Sequence, residues 1–333
     1  MKTMAMLLAS VLALHATAGG TSEAPPSDDR DDPTVIVVVG AAGMPEYERQ
    51  FAQWAGHWQQ ACAKESTRFI AVGLSDEGDG TSDRERMKNI LAGQSRPTTS
   101  ALWLMLIGHG TFDGRTAKFN LRGPDISADD LAGWLAPLQR PVVLINTASS
   151  SAPFITALSA PDRVVIAATK SGYEQNYARF GQYLAEAIVD RQADLDKDGQ
   201  TSLLEAFLTA SHQVKSFYAA SGRLATEHAL LDDNGDGLGT PADWYRGIRP
   251  VRKAAEGSSL DGYRAHQLHL CHSEAEAHIP PGLRARRDQL ELEVLKLRDT
   301  KASFSEAEYF SRLETLLYEI AQIYRKVEES DGF

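Results

Sequence analysis

Cysteine is scarce in this chain, with 2 among 333 residues, so disulfides do not provide the framework of its fold. Cys62 and Cys271 lie far apart in the sequence, and separate burial is favoured over a bridge between them. Positive charge is also in deficit, since 34 lysines and arginines face 45 aspartates and glutamates. Binding to a nucleic-acid backbone depends on basic side chains, so we expect no nucleic-acid partner.

The apolar run near the N-terminus, residues 4–14, is shorter than the roughly 20 residues that a membrane-spanning helix needs, so no membrane span is expected. Lys2 precedes this run and Ala16-Thr17-Ala18 follows it, which is the arrangement of a cleaved secretory signal. We therefore interpret residues 1–18 as a signal peptide and expect a secreted or periplasmic protein. Residues 19–33 carry little apolar content and are predicted to be a disordered linker.

From residue 34 onward the sequence alternates between strand and helix patterns. Runs typical of buried parallel strands occupy residues 35–39, 69–72, 101–107, 142–145 and 164–168. Helical patterns fall between and after them, at residues 46–64, 82–91, 127–135, from about 151, and 179–190. This alternation predicts an α/β domain over residues 34–257 with a mostly parallel sheet and helices on both faces. Active and binding sites in such sheets lie beyond the carboxyl ends of the strands.

The C-terminal part, residues 258–333, has helical patterns alone and predicts a hairpin of two helices at residues 284–301 and 305–327. Ser305 and Glu308 have the spacing of a capping box at the start of the second helix. An apolar stripe along this helix favours packing of the hairpin on the domain. Contact with a protein partner through the hairpin is the alternative.

A histidine between two glycines, Gly108-His109-Gly110, ends the third predicted strand. Glycine lets the backbone approach a ligand closely, and a histidine at this edge is a candidate general base. The amide of Gly110 could stabilise a developing oxyanion. The alternative is a histidine that only forms a hydrogen bond within a turn.

The Gly-His-Gly segment is followed by one helix, one strand and a second loop of small residues, an order that resembles the caspase, metacaspase and legumain group of cysteine peptidases. In that group a cysteine follows the neighbouring strand, in a motif like Ile-Glu-Ala-Cys-Glu-Ser-Gly-Ser-x-Phe. This chain has Ile145-Asn146-Thr147-Ala148-Ser149-Ser150-Ser151-Ala152-Pro153-Phe154, so Ala148 stands where the cysteine would be. The resemblance spans residues 34–190. It implies a caspase/legumain-like fold and a degenerate peptidase that binds peptide or protein segments.

Three serines directly after Ala148 leave a catalytic alternative open. Ser149 or Ser150 could act as nucleophile with His109 as the base, which would make the chain an active hydrolase. The structural alternative is that these hydroxyls cap the following helix.

Residues 194–205 have the spacing of a twelve-residue calcium loop. The predicted ligands are Asp194, Asp196, Asp198, Gln200 through its carbonyl, Ser202 and Glu205. A solvated acidic turn is the alternative. Because of this pattern, we expect calcium to be the cofactor that structures the domain.

A second acidic loop, residues 232–243, repeats the first half of that spacing with Asp232, Asn234 and Asp236, and could close with Asp243. Pro241 makes this loop atypical, so calcium and a plain turn are equally favoured.

Overall fold

Buried β-branched and aliphatic runs form the strands of this protein in a computed structural model, which describes residues 33–65, 67–75 and 80–331. The predicted signal peptide and the linker up to residue 32 lie outside the described residues. The strands of the described part are β1 (Thr34–Val39), β2 (Arg68–Val72), β3 (Leu102–Ile107), β4 (Gly110–Phe112), β5 (Ala117–Phe119), β6 (Ile126–Ser127), β7 (Val142–Asn146), β8 (Arg163–Ala167), β9 (Leu230–Asp232), β10 (Thr240–Pro241), β11 (Tyr245–Arg246) and β12 (Arg249–Pro250).

Seven of these strands form the central sheet, in the order β10-β9-β8-β7-β3-β1-β2. The five strands from β8 to β2 pair in parallel, whereas β9 and β10 are antiparallel additions at one edge. The register aligns one apolar row across the parallel strands, through Ile70, Ile36, Leu104, Leu144 and Val165. The predicted mostly parallel sheet is therefore confirmed.

Helices connect and cover these strands. Those of the described part are α1 (Pro45–Lys64), α2 (Asp83–Ala92), α3 (Ala128–Leu135), α4 (Pro153–Leu158), α5 (Phe180–Ala187), α6 (Leu203–Ala220), α7 (Tyr263–Gln267), α8 (Glu274–His278), α9 (Pro281–Asp299) and α10 (Glu306–Asp331). None of them combines the length and the apolar character that crossing a membrane requires.

The two faces of the sheet bury separate apolar clusters because successive side chains of a strand point to opposite faces. On one face, Val37 and Met105 belong to a cluster that includes side chains of α1, α5 and α6. On the other face, Ile36 and Leu104 pack with side chains of α2, α3 and α4. The prediction of helices on both faces is confirmed.

The two C-terminal helices pack against each other as a hairpin, as predicted from the sequence. Leu297 of α9 and Tyr309 of α10 are buried, and Arg286 forms an ion pair of 2.6 Å with Glu319. Ser305 accepts a hydrogen bond from the amide of Glu308, at 3.3 Å, as expected at this helix start. The hairpin helices begin and end within a few residues of the predicted positions.

Candidate functional site

The carboxyl ends of four parallel strands meet at one edge of the sheet. The chain leaving β1 stays beside β3, because the Gly40 amide donates to the Ile107 carbonyl at 2.9 Å. Thr147, just after β7, likewise donates its amide to Leu106 of β3 at 3.0 Å. The loops that carry His109 and the serines therefore lie next to each other, as the strand order predicts.

His109 follows β3 and points toward the start of α1. Its Nε2 lies 3.2 Å from the carbonyl oxygen of Ala42. A carbonyl oxygen only accepts, so Nε2 carries the hydrogen and Nδ1 holds the lone pair of the neutral ring. The rings of Tyr47, Phe51 and Tyr177 surround the imidazole with centroid distances of 4.9, 5.3 and 6.0 Å. Burial lowers the pKa of His109, and the Ala42 carbonyl only partly offsets this effect, so the neutral imidazole is favoured.

The glycines on either side of His109 are closely packed by neighbouring residues. A Cβ on Gly108 would lie 3.1 Å from the ring of Phe119 on β5. A Cβ on Gly110 would lie 2.2 Å from the carbonyl oxygen of Ser149. Gly110 also begins β4 and pairs with Phe119, so the small sheet of β4, β5 and β6 fixes the backbone around the histidine.

Ala148 and Ser149 lie directly beside Gly110. Ala148 is fully buried, and its amide donates to the Oδ1 of Asn146 at 3.1 Å. The Ser149 hydroxyl donates to the Gly110 carbonyl at 3.0 Å and accepts from the Gly110 amide at 3.4 Å. The predicted nucleophile and the predicted oxyanion donor thus form hydrogen bonds with each other, and in the described structure no hydrogen bond joins either of them to His109.

Ser150 and Ser151 are more deeply buried than Ser149. Ser150 has a left-handed backbone, with φ of 57°, and its buried hydroxyl has no hydrogen-bond partner among the described residues. The Ser151 hydroxyl lies 3.2 Å from that of Thr169, which in turn accepts from the Ala152 amide at 3.1 Å. Ala152 is the N-cap of α4 and makes no side-chain cap. The alternative in which a serine hydroxyl caps this helix is therefore wrong, because Ala152 lies between the serines and the first helical residue.

The loop after β8 adds residues that the sequence did not single out. The Glu174 carbonyl accepts from the Ser150 amide at 2.8 Å, and its carboxylate contacts His228 Nδ1 at 2.5 Å and the Lys170 amide at 2.9 Å. Glu174 thus connects the serine loop to the segment that enters β9. No local pattern predicts this contact, because Glu174 and His228 are separated by 54 positions.

A cavity of about 800 Å³ opens on the other side of this connection, between α6 and the strands β9 and β10. Apolar side chains of Phe180, Leu208, Val214, Leu230 and Trp244 contribute to its lining. Its wall also carries the basic or titratable groups of Lys170, His212, Lys215 and His228 and the acidic groups of Glu227 and Asp243. An apolar interior with a few polar groups is typical of a ligand pocket.

The first acidic loop folds around the carboxylate of Asp194, which accepts from the Lys197 amide at 2.6 Å and the Gly199 amide at 3.1 Å. Oxygens of Asp194, Asp196 and Asp198 lie within 4.8 Å of one another. These three carboxylates are close enough together to supply oxygen ligands to one cation.

Glu205 and Ser202 close this loop where α6 begins. The Oε1 of Glu205 accepts from the amides of Leu195 and Asp196, at 2.7 and 3.2 Å. Its Oε2 accepts from the Ser202 amide and hydroxyl, both at 2.8 Å. Ser202 and Glu205 therefore form a capping box. The side-chain oxygen of Gln200 accepts from the Ser273 amide at 3.2 Å. The backbone carbonyl of Gln200 is therefore the atom that could bind a cation, as the sequence predicted.

The second acidic loop follows β9 and is more buried than the first. Its Asp232 accepts from Gly235 and Gly237 amides, and the Asn234 side chain donates to the Ser259 carbonyl at 3.0 Å. Asp236 and Asp243 are exposed.

Two further carboxylates are buried here, on Asp233 within the second acidic loop and on Asp261 beside it. Burial and the negative charge of Asp233 raise the pKa of Asp261. Burial also raises the pKa of Asp233. Sequence analysis did not single out Asp261, because it comes from a segment 28 positions beyond Asp233.

No family model matches the chain, and no curated protein does. Among solved structures, the Drosophila initiator caspase Dronc aligns over 60% of this chain and 79% of its own, with 14% identity and a TM-score of 0.38. Caspase-1 from Spodoptera frugiperda aligns over 60% and 86%, with 10% identity and a TM-score of 0.40. A Geobacter sulfurreducens protein aligns over 60% and 92%, with 9% identity and a TM-score of 0.37. The fold class assigned above rests on the sheet order and helix placement of this chain.

Proposed function

We propose that this chain is a caspase-like peptidase homologue that binds a peptide or protein segment without cleaving it. The observation that carries the proposal is the buried methyl group of Ala148 at the position where the resemblance expects a thiol. Alanine has no nucleophilic atom. His109 is retained at the neighbouring strand end, as a neutral ring held by the Ala42 carbonyl.

The arrangement of Ser149 supports binding over catalysis. Its hydroxyl donates to the Gly110 carbonyl and therefore has no free proton to give to His109. An acyl-transfer site needs the opposite arrangement, in which the hydroxyl donates to the base and the amide is free for the substrate oxygen.

The cavity beside Glu174 is the proposed site for one side chain of the ligand. Its lining is apolar, with both acidic groups, Glu227 and Asp243, and basic groups on its wall. Lys170 and His228 pair with Glu174, so Lys215 is the basic group that we propose meets an acidic residue of the ligand. Tyr173, in the loop between Lys170 and Glu174, is 74% exposed and offers a further apolar contact. We therefore propose a peptide with an apolar anchor residue next to an acidic residue.

A peptide library with fixed apolar and acidic positions tests this proposal. We expect saturable binding by fluorescence anisotropy and intact peptides by mass spectrometry. Leu208→Trp should fill the cavity and weaken binding at least 10-fold, whereas Leu317→Trp, on an exposed residue of α10 outside the lining, should leave binding unchanged. Peptide turnover that His109→Ala abolishes would contradict a function limited to binding.

A serine hydrolase is the second candidate, and the observation that favours it concerns Ser150. Its hydroxyl is buried without a partner and its backbone is left-handed, a strained combination that is found at functional sites. If this candidate is correct, a serine-directed phosphonate should label the protein, and Ser150→Ala should abolish the labelling. Absence of labelling with and without calcium would rule it out.

We also propose that calcium binds the first acidic loop and that the chain is exported. Asp194, Asp196 and Asp198 support the first proposal through their clustered oxygens. Export is proposed from residues 1–18 alone. N-terminal sequencing of the protein from a secreting host should start at Gly19, and an unprocessed Met1 in the secreted material would argue against cleavage.

A further inference from the structure

The second acidic loop repeats the internal hydrogen bonds of the first. Asp232 accepts from the amides three and five residues later, Gly235 at 2.9 Å and Gly237 at 2.8 Å. Asp194 accepts at the same two offsets in the first loop, at 2.6 and 3.1 Å. The third and fifth residues of both loops also accept from the amide two positions ahead. The two loops thus share one hydrogen-bonding scheme over their first seven residues.

Backbone angles agree with this equivalence. Gly235 and Gly237 have φ of 80° and 77°, and the residues at the same positions of the first loop, Lys197 and Gly199, have φ of 67° and 92°. Two left-handed residues separated by one position turn both backbones in the same way. What the second loop lacks is a glutamate at its twelfth position, where it has Asp243 in an exposed turn.

Asp261 occupies the place that Glu205 has in the first loop. Its Oδ1 accepts from the amides of Asp233 and Asn234, the second and third residues of the second loop, at 3.1 and 3.3 Å. Glu205 accepts from the second and third residues of the first loop with one oxygen, at 2.7 and 3.2 Å. The closing carboxylate of the second loop therefore comes from 28 positions beyond Asp233 in the chain.

The other oxygen of Asp261 provides an independent indication of a ligand. Asp261 is only 1% exposed, and its Oδ2 is buried with no hydrogen-bond partner among the described residues. A buried carboxylate oxygen without a donor costs roughly 1–3 kcal/mol, and more when it is charged. A cation coordinated by this oxygen would remove that cost, and carboxylate and amide oxygens are suitable ligands for calcium.

We propose that the second acidic loop is a calcium site that Asp261 closes from a distant segment, with Asp232, Asn234 and Asp236 as the other side-chain ligands. This site is separate from the first loop, which Glu205 closes within its own twelve residues. Asp243 has no part in it. The proposal extends the calcium binding proposed above and does not depend on peptide binding.

Isothermal titration calorimetry on the full chain with calcium chloride distinguishes the two loops. We expect two calcium ions per chain in the wild type and one in Asp261→Asn, because Oδ1 can still accept from the loop while an NH2 group, which cannot bind a cation, replaces Oδ2. Glu205→Gln should remove the other ion. The matched control, Asp243→Asn, should retain both ions with unchanged affinity.

The inference is overturned if Asp261→Asn still binds two ions with less than a 10-fold change in affinity, or if Asp243→Asn loses one. A wild type that binds a single ion, lost only in Glu205→Gln, would overturn the second site while sparing the first. If Asp261→Asn does not fold, amide NMR of the wild type replaces it. Calcium should then shift the Asp261 signal together with those of Gly235 and Gly237, and an unmoved Asp261 signal contradicts the proposal.

Discussion

The His109 imidazole is held by a carbonyl group and by aromatic rings, and none of its described contacts is with a carboxylate. A carboxylate would favour the charged ring, whereas this surrounding favours the neutral one. The sequence predicted the position of His109 because Gly108 and Gly110 mark the end of a buried strand. It could not predict the contact with Tyr177, since that residue reaches the ring from a loop after β8.

Thiol reactivity is the first prediction at the residue scale. Burial, with a smaller contribution from the neighbouring Cys271, raises the pKa of Cys62 to about 12, and burial also raises the pKa of Cys271. Both groups are free thiols in the structure. Because the thiolate is the reactive form, both should react slowly with Ellman's reagent at pH 8 and rapidly in concentrated urea. Fewer than two thiols in urea without reductant would reveal a disulfide and contradict this prediction.

The second prediction at the residue scale concerns the pH dependence of stability. Burial, together with the charges of His272 and His266, lowers the pKa of His269 to about 4. Between pH 6.5 and 4 the unfolded chain binds a proton that the folded chain does not, so the free energy of unfolding falls as pH falls. The loss should reach about 3 kcal/mol at most. Urea denaturation at pH 7, 5.5 and 4.5 should show that the free energy of unfolding falls less with pH in His269→Gln than in the wild type. An equal dependence on pH in the two proteins would contradict this role of His269.

At the scale of single elements, the long parallel strands were the most predictable part. Apolar runs such as those of β1 and β3 are buried on both faces, so their composition alone identifies them. The strands β9 and β10 were missed because they have three and two residues, too few for a pattern. The small sheet of β4, β5 and β6 was missed for the same reason, although it fixes Gly110.

Two helical glycines give a matched prediction at this scale. A Cβ on Gly181 in α5 would lie 2.6 Å from the Cβ of Thr147, whereas a Cβ on Gly133 in α3 would meet nothing within 4 Å. Gly181→Ala should therefore destabilise the protein by about 1–3 kcal/mol through overpacking. Gly133→Ala should stabilise it by about 0.5–1 kcal/mol through helix propensity. Urea midpoints of the two variants measure both effects, and midpoints that move in the same direction would contradict the packing argument.

For the whole molecule, calcium is expected to couple the acidic loops to global stability. A ligand that binds only the folded state stabilises it by about 2.7 kcal/mol when the free ligand concentration is 100 times the dissociation constant. The melting temperature should therefore rise with calcium concentration relative to a chelator. Glu205→Gln should reduce the rise, and Asp243→Asn should not. Identical melting curves in calcium and chelator would exclude a structural role for the ion.

The sequence pattern indicated the proposed ligands of the first loop because they lie within twelve consecutive positions, and calcium binding by them stays a prediction. For the second loop the sequence indicated only the first half of the proposed site, since Asp261, which we propose closes it, is brought there by the fold and not by sequence spacing. The partner of Asp196 in the first loop was missed for a similar reason: His266 Nε2, at 2.9 Å, is 70 positions away.

One short segment touches both acidic loops, and this has a consequence for the order of assembly. The Asp233 carboxylate accepts from the amides of Arg264 and Ala265, at 2.7 and 2.9 Å, and the next residue, His266, reaches Asp196. Synthesis runs from the N-terminus, so all seven strands of the sheet leave the ribosome before this segment does. The nascent chain can therefore build its core first, and its two loops take their final form only once Asp261 and α7 have emerged.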